Sequence, residues 1–156
     1  MIAVIILCLI CFAAPGFAEE ESGRRGYWLT EARDAVIHIH PCSEGDKTLC
    51  GHLVWVHPEK DQIDYEHPDP EKRERNLCGI KVLWNLTPVS PAAGTWRGGK
   101  MYHPSHGSFY KLRIRQESQA SFNLRAFVGV PLFGRTITFS RVDPDDYDTC
   151  PISKNS

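Results

Sequence analysis

The chain has 156 residues, of which 18 are basic and 19 acidic, for a formal net charge of −1. A nucleic-acid-binding domain of this size normally carries a clear basic excess, so the balance argues against a nucleic-acid partner. With 42% hydrophobic residues the chain is long enough for one domain with a buried core.

Residues 1–18 are almost wholly apolar and end in Pro15-Gly16-Phe17-Ala18, ahead of Glu19-Glu20-Glu21. An apolar run closed by small residues has the form of a secretory signal cleaved after Ala18. The run from Ile2 to Ala14 is too short to span a bilayer. Ile10 and Leu7 stand before Cys11 and Cys8 where a lipoprotein signal needs a small residue. Residues 19–156 are therefore expected to form a single exported domain, periplasmic or secreted. In that compartment Cys42, Cys50, Cys78 and Cys150 are better read as disulfides than as metal ligands. None sits in a Cys-x-x-Cys spacing, which disfavours a zinc ribbon or a thioredoxin-like site. Three connectivities are open. The favoured one joins Cys42 to Cys50 across a short hairpin carrying Glu44-Gly45-Asp46, and Cys78 to Cys150 to tie down the tail.

Strand signals dominate the rest. The early candidates are Gly26–Thr30, Ala35–Pro41, Leu49–His57, Ile80–Leu86 and Thr95–His103. Tyr110, Leu112 and Ile114 then alternate with Lys111, Arg113 and Arg115; Phe122, Leu124 and Ala126 with Asn123 and Arg125; Ile137 and Phe139 with Thr136, Thr138 and Ser140. Period-two alternation predicts half-buried antiparallel strands. Turn chemistry separates them at Pro88, Pro91 and Gly94, at Pro104 and Gly107, and at Gly129 and Pro131. One connection is much longer: the charged block Asp64–Gly79, within which Asp69–Arg75 suits a single helical turn. Eight strands joined mainly by short turns predict an all-β, eight-stranded antiparallel up-and-down barrel over residues 26–142, with a sandwich as the competitor.

Gly26-Tyr27-Trp28 on the first strand, with Arg141 on the last, resembles the calycin signature of lipocalins and fatty-acid-binding proteins. That resemblance implies a tryptophan closing one end of the barrel under an arginine, a contact worth about 0.5–2 kcal/mol. A longer ordered set resembles the exported bacterial domain-of-unknown-function family 2147. It runs through Cys42, Leu49-Cys50-Gly51, Val54-Trp55, Asp64, Pro68-Asp69, Arg73, Arg75 and Leu77-Cys78-Gly79. It continues through Trp96, Gly98-Gly99, Tyr102, Pro104, Gly107, Tyr110, Val128-Gly129 and Leu132-Phe133-Gly134-Arg135-Thr136. The resemblance implies a lipocalin-like barrel and no particular chemistry. His67 and Phe139 depart from it, where the family pattern usually has Asn and Trp.

Candidate sites follow in order of promise. Asp64, Asp69, Arg73 and Arg75 suit either a polar rim gripping a ligand anion or a set of ion pairs stapling a lid, and the staple is favoured. A hairpin in which Cys42 lies opposite Cys50 sets His40 opposite His52, with His38 on the same face. That face is opposite Ile37, Ile39, Leu53 and Trp55, so an outward site without a carboxylate to orient the rings does not predict a metal. No cofactor motif occurs: Arg97-Gly98-Gly99-Lys100 precedes a strand where a phosphate loop needs a helix. Ser105 and Ser108 near His103 and His106 lack a nucleophile-elbow pattern. The apolar lining, including Trp55, Trp84 and Tyr110, offers either a pocket or a filled core. Tyr102 and Arg135 join these as ligand-contact candidates. The outward basic stripe Lys111, Arg113, Arg115 and Arg125 is a candidate for peripheral envelope contact.

These readings converge on an exported non-catalytic binding protein for a small apolar or amphipathic ligand in the cell envelope. The alternatives are a periplasmic structural or interaction module with a filled barrel, and a metal-dependent or hydrolytic enzyme.

Overall fold

Alternation gives each strand one face that must be buried, and a sheet closed on itself buries all such faces without leaving an edge. The computed structural model of the chain, described over residues 25–90 and 94–152, realises this as a closed eight-stranded barrel. Its strands are β1 (Gly26–Thr30), β2 (Ala35–Pro41), β3 (Leu49–Val56), β4 (Lys81–Ser90), β5 (Thr95–His103), β6 (Ser108–Gln116), β7 (Ser121–Phe127) and β8 (Arg135–Val142). Each pairs antiparallel with the next, and β8 returns to β1. The expected signal segment, residues 1–18, and the turn at Pro91 lie outside the described residues.

The alternation reading needs three corrections. First, β4 continues through Pro88, which pairs with Trp96 of β5. The β3 ladder has already ended at the Leu49–Leu86 pair, so no partner on that side requires a proline N–H. Second, bulges interrupt β3 and β4. Ile37 faces Leu53 but Val36 faces Trp55, so the extra residue Val54 turns Trp55 away from the lumen. In β4, Gly51 faces Leu83 and His52 faces Lys81, and the extra Val82 turns Trp84 outward, opposite Lys100. Third, the β2–β3 hairpin is shifted by two residues from the predicted register: His38 faces His52 and His40 faces Cys50. Cys42 and Cys50 are bonded diagonally, which leaves the three histidines on one face as expected.

One end of the barrel is plugged. Trp28 is fully buried, makes an edge contact with Phe122 at 4.7 Å, and Phe122 stacks on Phe139 at 4.9 Å. Arg141, the cross-strand partner of Trp28, lies 4.4 Å over the indole. Its guanidinium donates to the carbonyls of Gln119 and Arg25. Gly26 suits this position because its φ is +132°, and a Cβ there would also sit 2.7 Å from Nη1 of Arg141. Ile39, Leu49, Leu86, Trp96, Leu112, Ile114 and Leu124 fill the lumen next to this plug.

A second apolar cluster lies on the outer wall. Leu29, Val36 and Val54 are buried there beneath Tyr27, Trp55, Val142 and Tyr147. The tail after β8 supplies the cover: Trp55 and Tyr147 meet at 5.0 Å, and the Cys150 amide donates to the Val54 carbonyl. Disulfides Cys42–Cys50 and Cys78–Cys150 have the favoured connectivity, with Cα–Cα distances of 4.8 and 6.1 Å.

Candidate functional site

Four connections meet at the end opposite the plug: β1–β2, the long β3–β4 connection, β5–β6 and β7–β8. Between them the lumen opens into a cavity of about 1040 Å³. The interior is thus filled at one end and hollow at the other, where the sequence posed these as alternatives. The floor and walls are apolar and include Ile37, Leu53, Val82, Met101, Ile137 and Phe139.

Polarity enters at the strand ends. Arg135 tops the inward row that runs on to Ile137 and Phe139, and it lines the cavity. His103 closes β5, the strand expected over Thr95–His103, in phase with Met101. His106 stacks on His103 with ring centroids 4.4 Å apart. Burial holds the His103 pKa below its ordinary value, His106 and Arg135 push the same way, and Asp34 opposes them. His103 is accordingly a neutral hydrogen-bonding group near pH 7. Its Nδ1 is buried with no hydrogen-bond partner among the described residues, an orphan that a ligand's polar group would satisfy. Asp34, Lys60, Asp61 and Glu66 complete the mouth. Asp34 is partly committed, accepting from Thr30 Oγ1 at 2.7 Å.

The charged connection is built around one buried carboxylate. Asp64 accepts from Tyr102 Oη at 2.5 Å and from Arg75 through Nε at 2.9 Å and Nη2 at 2.8 Å. Burial and the Asp64 carboxylate together raise the Tyr102 pKa, so the phenol stays a donor. Arg73 donates through Nε to the His67 carbonyl at 2.7 Å. Asp69 caps the short 3₁₀ turn Pro70–Lys72, the helical turn expected within Asp69–Arg75, and pairs with Lys72. Of the predicted staple Asp64–Arg75 forms, whereas Asp69 pairs with Lys72 and Arg73 holds the His67 carbonyl in place of a carboxylate. His67 is buried against Tyr102 and Phe109, at 5.0 and 6.2 Å, and its Nδ1 accepts from the Asp69 amide. The connection also presses on the β5–β6 turn: at Gly107, φ is +57° and a Cβ would lie 1.8 Å from the Glu66 carbonyl oxygen.

Of the predicted ligand contacts, Tyr102, Tyr110 and Arg135 line the cavity. Asp64, Asp69, Arg73 and Arg75 hold the connection that supplies Ile63, Tyr65 and Glu66 to the mouth. Trp55 and Trp84 do not line it: Trp55 packs under the tail and Trp84 meets Phe109 on the outer wall. The sequence reading gave His103, at the end of a strand, and His106, beyond it, no binding role. The in-phase spacing of His103 with Met101 was the available signal.

The outward histidines form a bonded row. His40 donates from Nδ1 to the Pro41 carbonyl at 2.7 Å, so its Nε2 accepts from Nδ1 of His52 at 2.7 Å. Tyr27 stacks on His38 at 4.4 Å. Among the described residues no group of His, Cys, Asp and Glu has the geometry to hold a metal ion.

Comparison with known proteins bears on fold and family. The family described as an uncharacterised protein conserved in bacteria (DUF2147) matches residues 26–141. The chain is similar to the solved structure of protein HP1028 from Helicobacter pylori, described as belonging to the lipocalin family. The TM-score is 0.70 at 18% identity, over 83% of this chain and 92% of that one. A redesigned β-barrel matches at a TM-score of 0.45 and 15% identity, over 83% of this chain and all of that one. No curated protein matches.

Proposed function

The chain belongs to the DUF2147 family of uncharacterised bacterial proteins, and from that premise and the half-filled barrel we propose that it is an exported, non-catalytic carrier of a small amphipathic ligand in the cell envelope. The observation that carries this reading is the open cavity of about 1040 Å³, apolar in its depth and polar at its rim. Small-molecule sites are commonly about 300–1,000 Å³ with a few placed polar groups, and this cavity has that character. The apolar part of the ligand packs on Ile37, Leu53, Val82 and Met101. Its polar end reaches Arg135 and the unpartnered Nδ1 of His103.

Tyr102 and Tyr110 are wall contacts in this reading. Asp64, Asp69, Arg73 and Arg75 act indirectly, by fixing the connection that shapes one side of the mouth. The two disulfides fit an oxidising compartment. Export itself is assigned to residues 1–18, with a periplasmic or secreted destination.

Native mass spectrometry of protein purified gently from its producing bacterium tests the reading, with a co-purifying small molecule as the expected result. Fluorescence titration with an anilinonaphthalene sulfonate probe supplies a second readout. Ala126→Trp, which fills the cavity from β7, is expected to abolish probe binding while the barrel still melts cooperatively. A bare mass together with equal probe binding by wild type and variant would sink the carrier assignment.

A further inference from the structure

Four of the seven large apolar residues exposed among the described residues lie in one place. Val128, Val130, Leu132 and Phe133 are all exposed, Leu132 at 79% and Phe133 at 81%. They belong to the single β7–β8 loop, Val128 through Gly134, which borders the cavity mouth and contains no charged residue. Exposed apolar patches on a soluble chain mark a contact surface, and this one needs an occupant.

The loop is held rigid from beneath. Arg125 of β7 donates through Nε to the Pro131 carbonyl at 2.7 Å, through Nη2 to the Leu132 carbonyl at 3.1 Å, and through Nη1 to Thr136 Oγ1 at 2.9 Å. The amides of Phe133 and Gly134 close back onto the carbonyls of Val130 and Pro131. Gly134 sits so close to β7 that a Cβ would meet the Ala126 carbonyl oxygen at 2.6 Å. At the tip, the carbonyls of Val130, Pro131 and Leu132 and the amides of Phe133 and Gly134 are thus bonded within the protein while the side chains point out. Those bonds favour entry of the Leu132–Phe133 tip into an apolar medium, because each unpaired backbone group there costs several kcal/mol.

Charge defines the partner. On the β5–β6 flank of the loop, a groove of about 600 Å³ is lined by Arg97, Lys100, Lys111 and Arg113, with Val128 and Gly129 at its edge. No carboxylate lines it. Lys100 Nζ lies 4.1 Å over the Phe109 ring and the Arg113 guanidinium 5.8 Å over that of Phe127, and both side chains are exposed. The acidic groups of the mouth lie off this groove: Glu31 and Asp34 on the β1–β2 turn, the loop's other flank, and Asp61 and Glu66 on the β3–β4 connection. An apolar tip beside a one-sided cationic groove is complementary to an anionic lipid surface, where tip residues enter the interface and cations meet headgroups.

We propose that the β7–β8 loop and the adjoining β5–β6 groove dock the barrel on an anionic phospholipid membrane, with the cavity mouth at the lipid interface. This rests on the loop and the groove alone and holds whether or not the cavity carries a ligand.

The test uses the chain from Glu19 onward, which retains the whole closed barrel, in co-sedimentation with phosphatidylglycerol-containing and pure phosphatidylcholine vesicles. Binding to the anionic vesicles is expected, falling as salt screens the headgroups. Removing the two largest apolar tips in Leu132→Ser/Phe133→Ser should weaken it at least roughly tenfold. Lys100→Gln/Lys111→Gln should weaken binding and flatten its salt dependence. Val89→Ser, an exposed apolar residue of β4 away from the loop, should leave binding unchanged. Equal binding to both vesicle types, no binding to either, or full retention by the Leu132/Phe133 variant overturns the proposal. A dimer lost in that variant without any vesicle binding would instead assign the loop to self-association.

Discussion

His52 shows how a single side chain ties this fold to pH. It is buried on the outer face of β3, with Lys81 opposite it and His40 and His38 beside it. Burial first, and then the neighbouring His40, Lys81 and His38, lower its pKa from 6.5 to about 4. The unfolded chain therefore takes up a proton near pH 6.5 that the folded barrel refuses until about pH 4. Stability from this group is complete above pH 6.5, declines as pH falls through that window, and levels off below about 4. His38, lowered by burial and by His40, acts in the same sense. Melting temperature measured across this range should fall on acidification, and His52→Gln should remove a large part of the slope, on the order of 2 kcal/mol. A pH-independent melting temperature in the wild type would contradict the assignment. Trp55 and Trp84 carry a different residue-scale lesson. Both occupy inward positions by strict alternation and both point outward, because one extra residue in each strand, Val54 and Val82, inverts the phase. Bulges depend on how neighbouring strands twist together, so no local pattern marked them.

At the scale of elements, the β3–β4 connection is held by one buried node instead of many surface pairs. Exposed ion pairs are worth about 0–1 kcal/mol each, and Asp69–Lys72 is of that kind. Asp64 differs: its side chain is fully buried, Arg75 holds one oxygen and the Tyr102 phenol the other. Removing either partner leaves a buried carboxylate incompletely paired. Tyr102→Phe is expected to cost roughly 1–3 kcal/mol, and Asp64→Ala more, roughly 2–4 kcal/mol given that Arg75 keeps some access to water. In urea denaturation the double variant should lose less than the sum, because both changes break one network. Strict additivity would show that Tyr102 and Asp64 do not act together. Charge density made the connection conspicuous in the sequence, and of the expected staple pairs Asp64–Arg75 is the one that forms. That Tyr102, 38 positions from Asp64, completes the node required the strands to be in place. The same holds for Gly107 under Glu66, which reads locally as an ordinary turn glycine.

The whole molecule is a barrel plugged at one end, hollow at the other, and strapped outside by its own tail. The Cys78–Cys150 bond closes a separation of 72 residues, while Cys42–Cys50 closes only 8. The chain-entropy account makes the first worth roughly 4 kcal/mol and the second roughly 2.5. Cys78→Ser/Cys150→Ser should therefore lower the urea midpoint more than Cys42→Ser/Cys50→Ser. It should also make the tail after Val142 a protease target, since Leu29, Val36 and Val54 lose their fastened cover. The reverse order of stabilities would refute the strap's dominance. By itself the sequence determined the strand count and the all-β class, favoured the barrel over a sandwich and the disulfide pairing that forms, and carried the Trp28–Arg141 signature. Those follow from period-two burial, turn residues and a signature whose two halves are direct cross-strand partners. Only the tertiary structure decided that the lumen is half empty and that His103 and Arg135 share its rim. Cavity volume depends on which residues bulges turn inward and on how far the rim loops stand apart. Those quantities belong to the closed sheet and to no single stretch of chain.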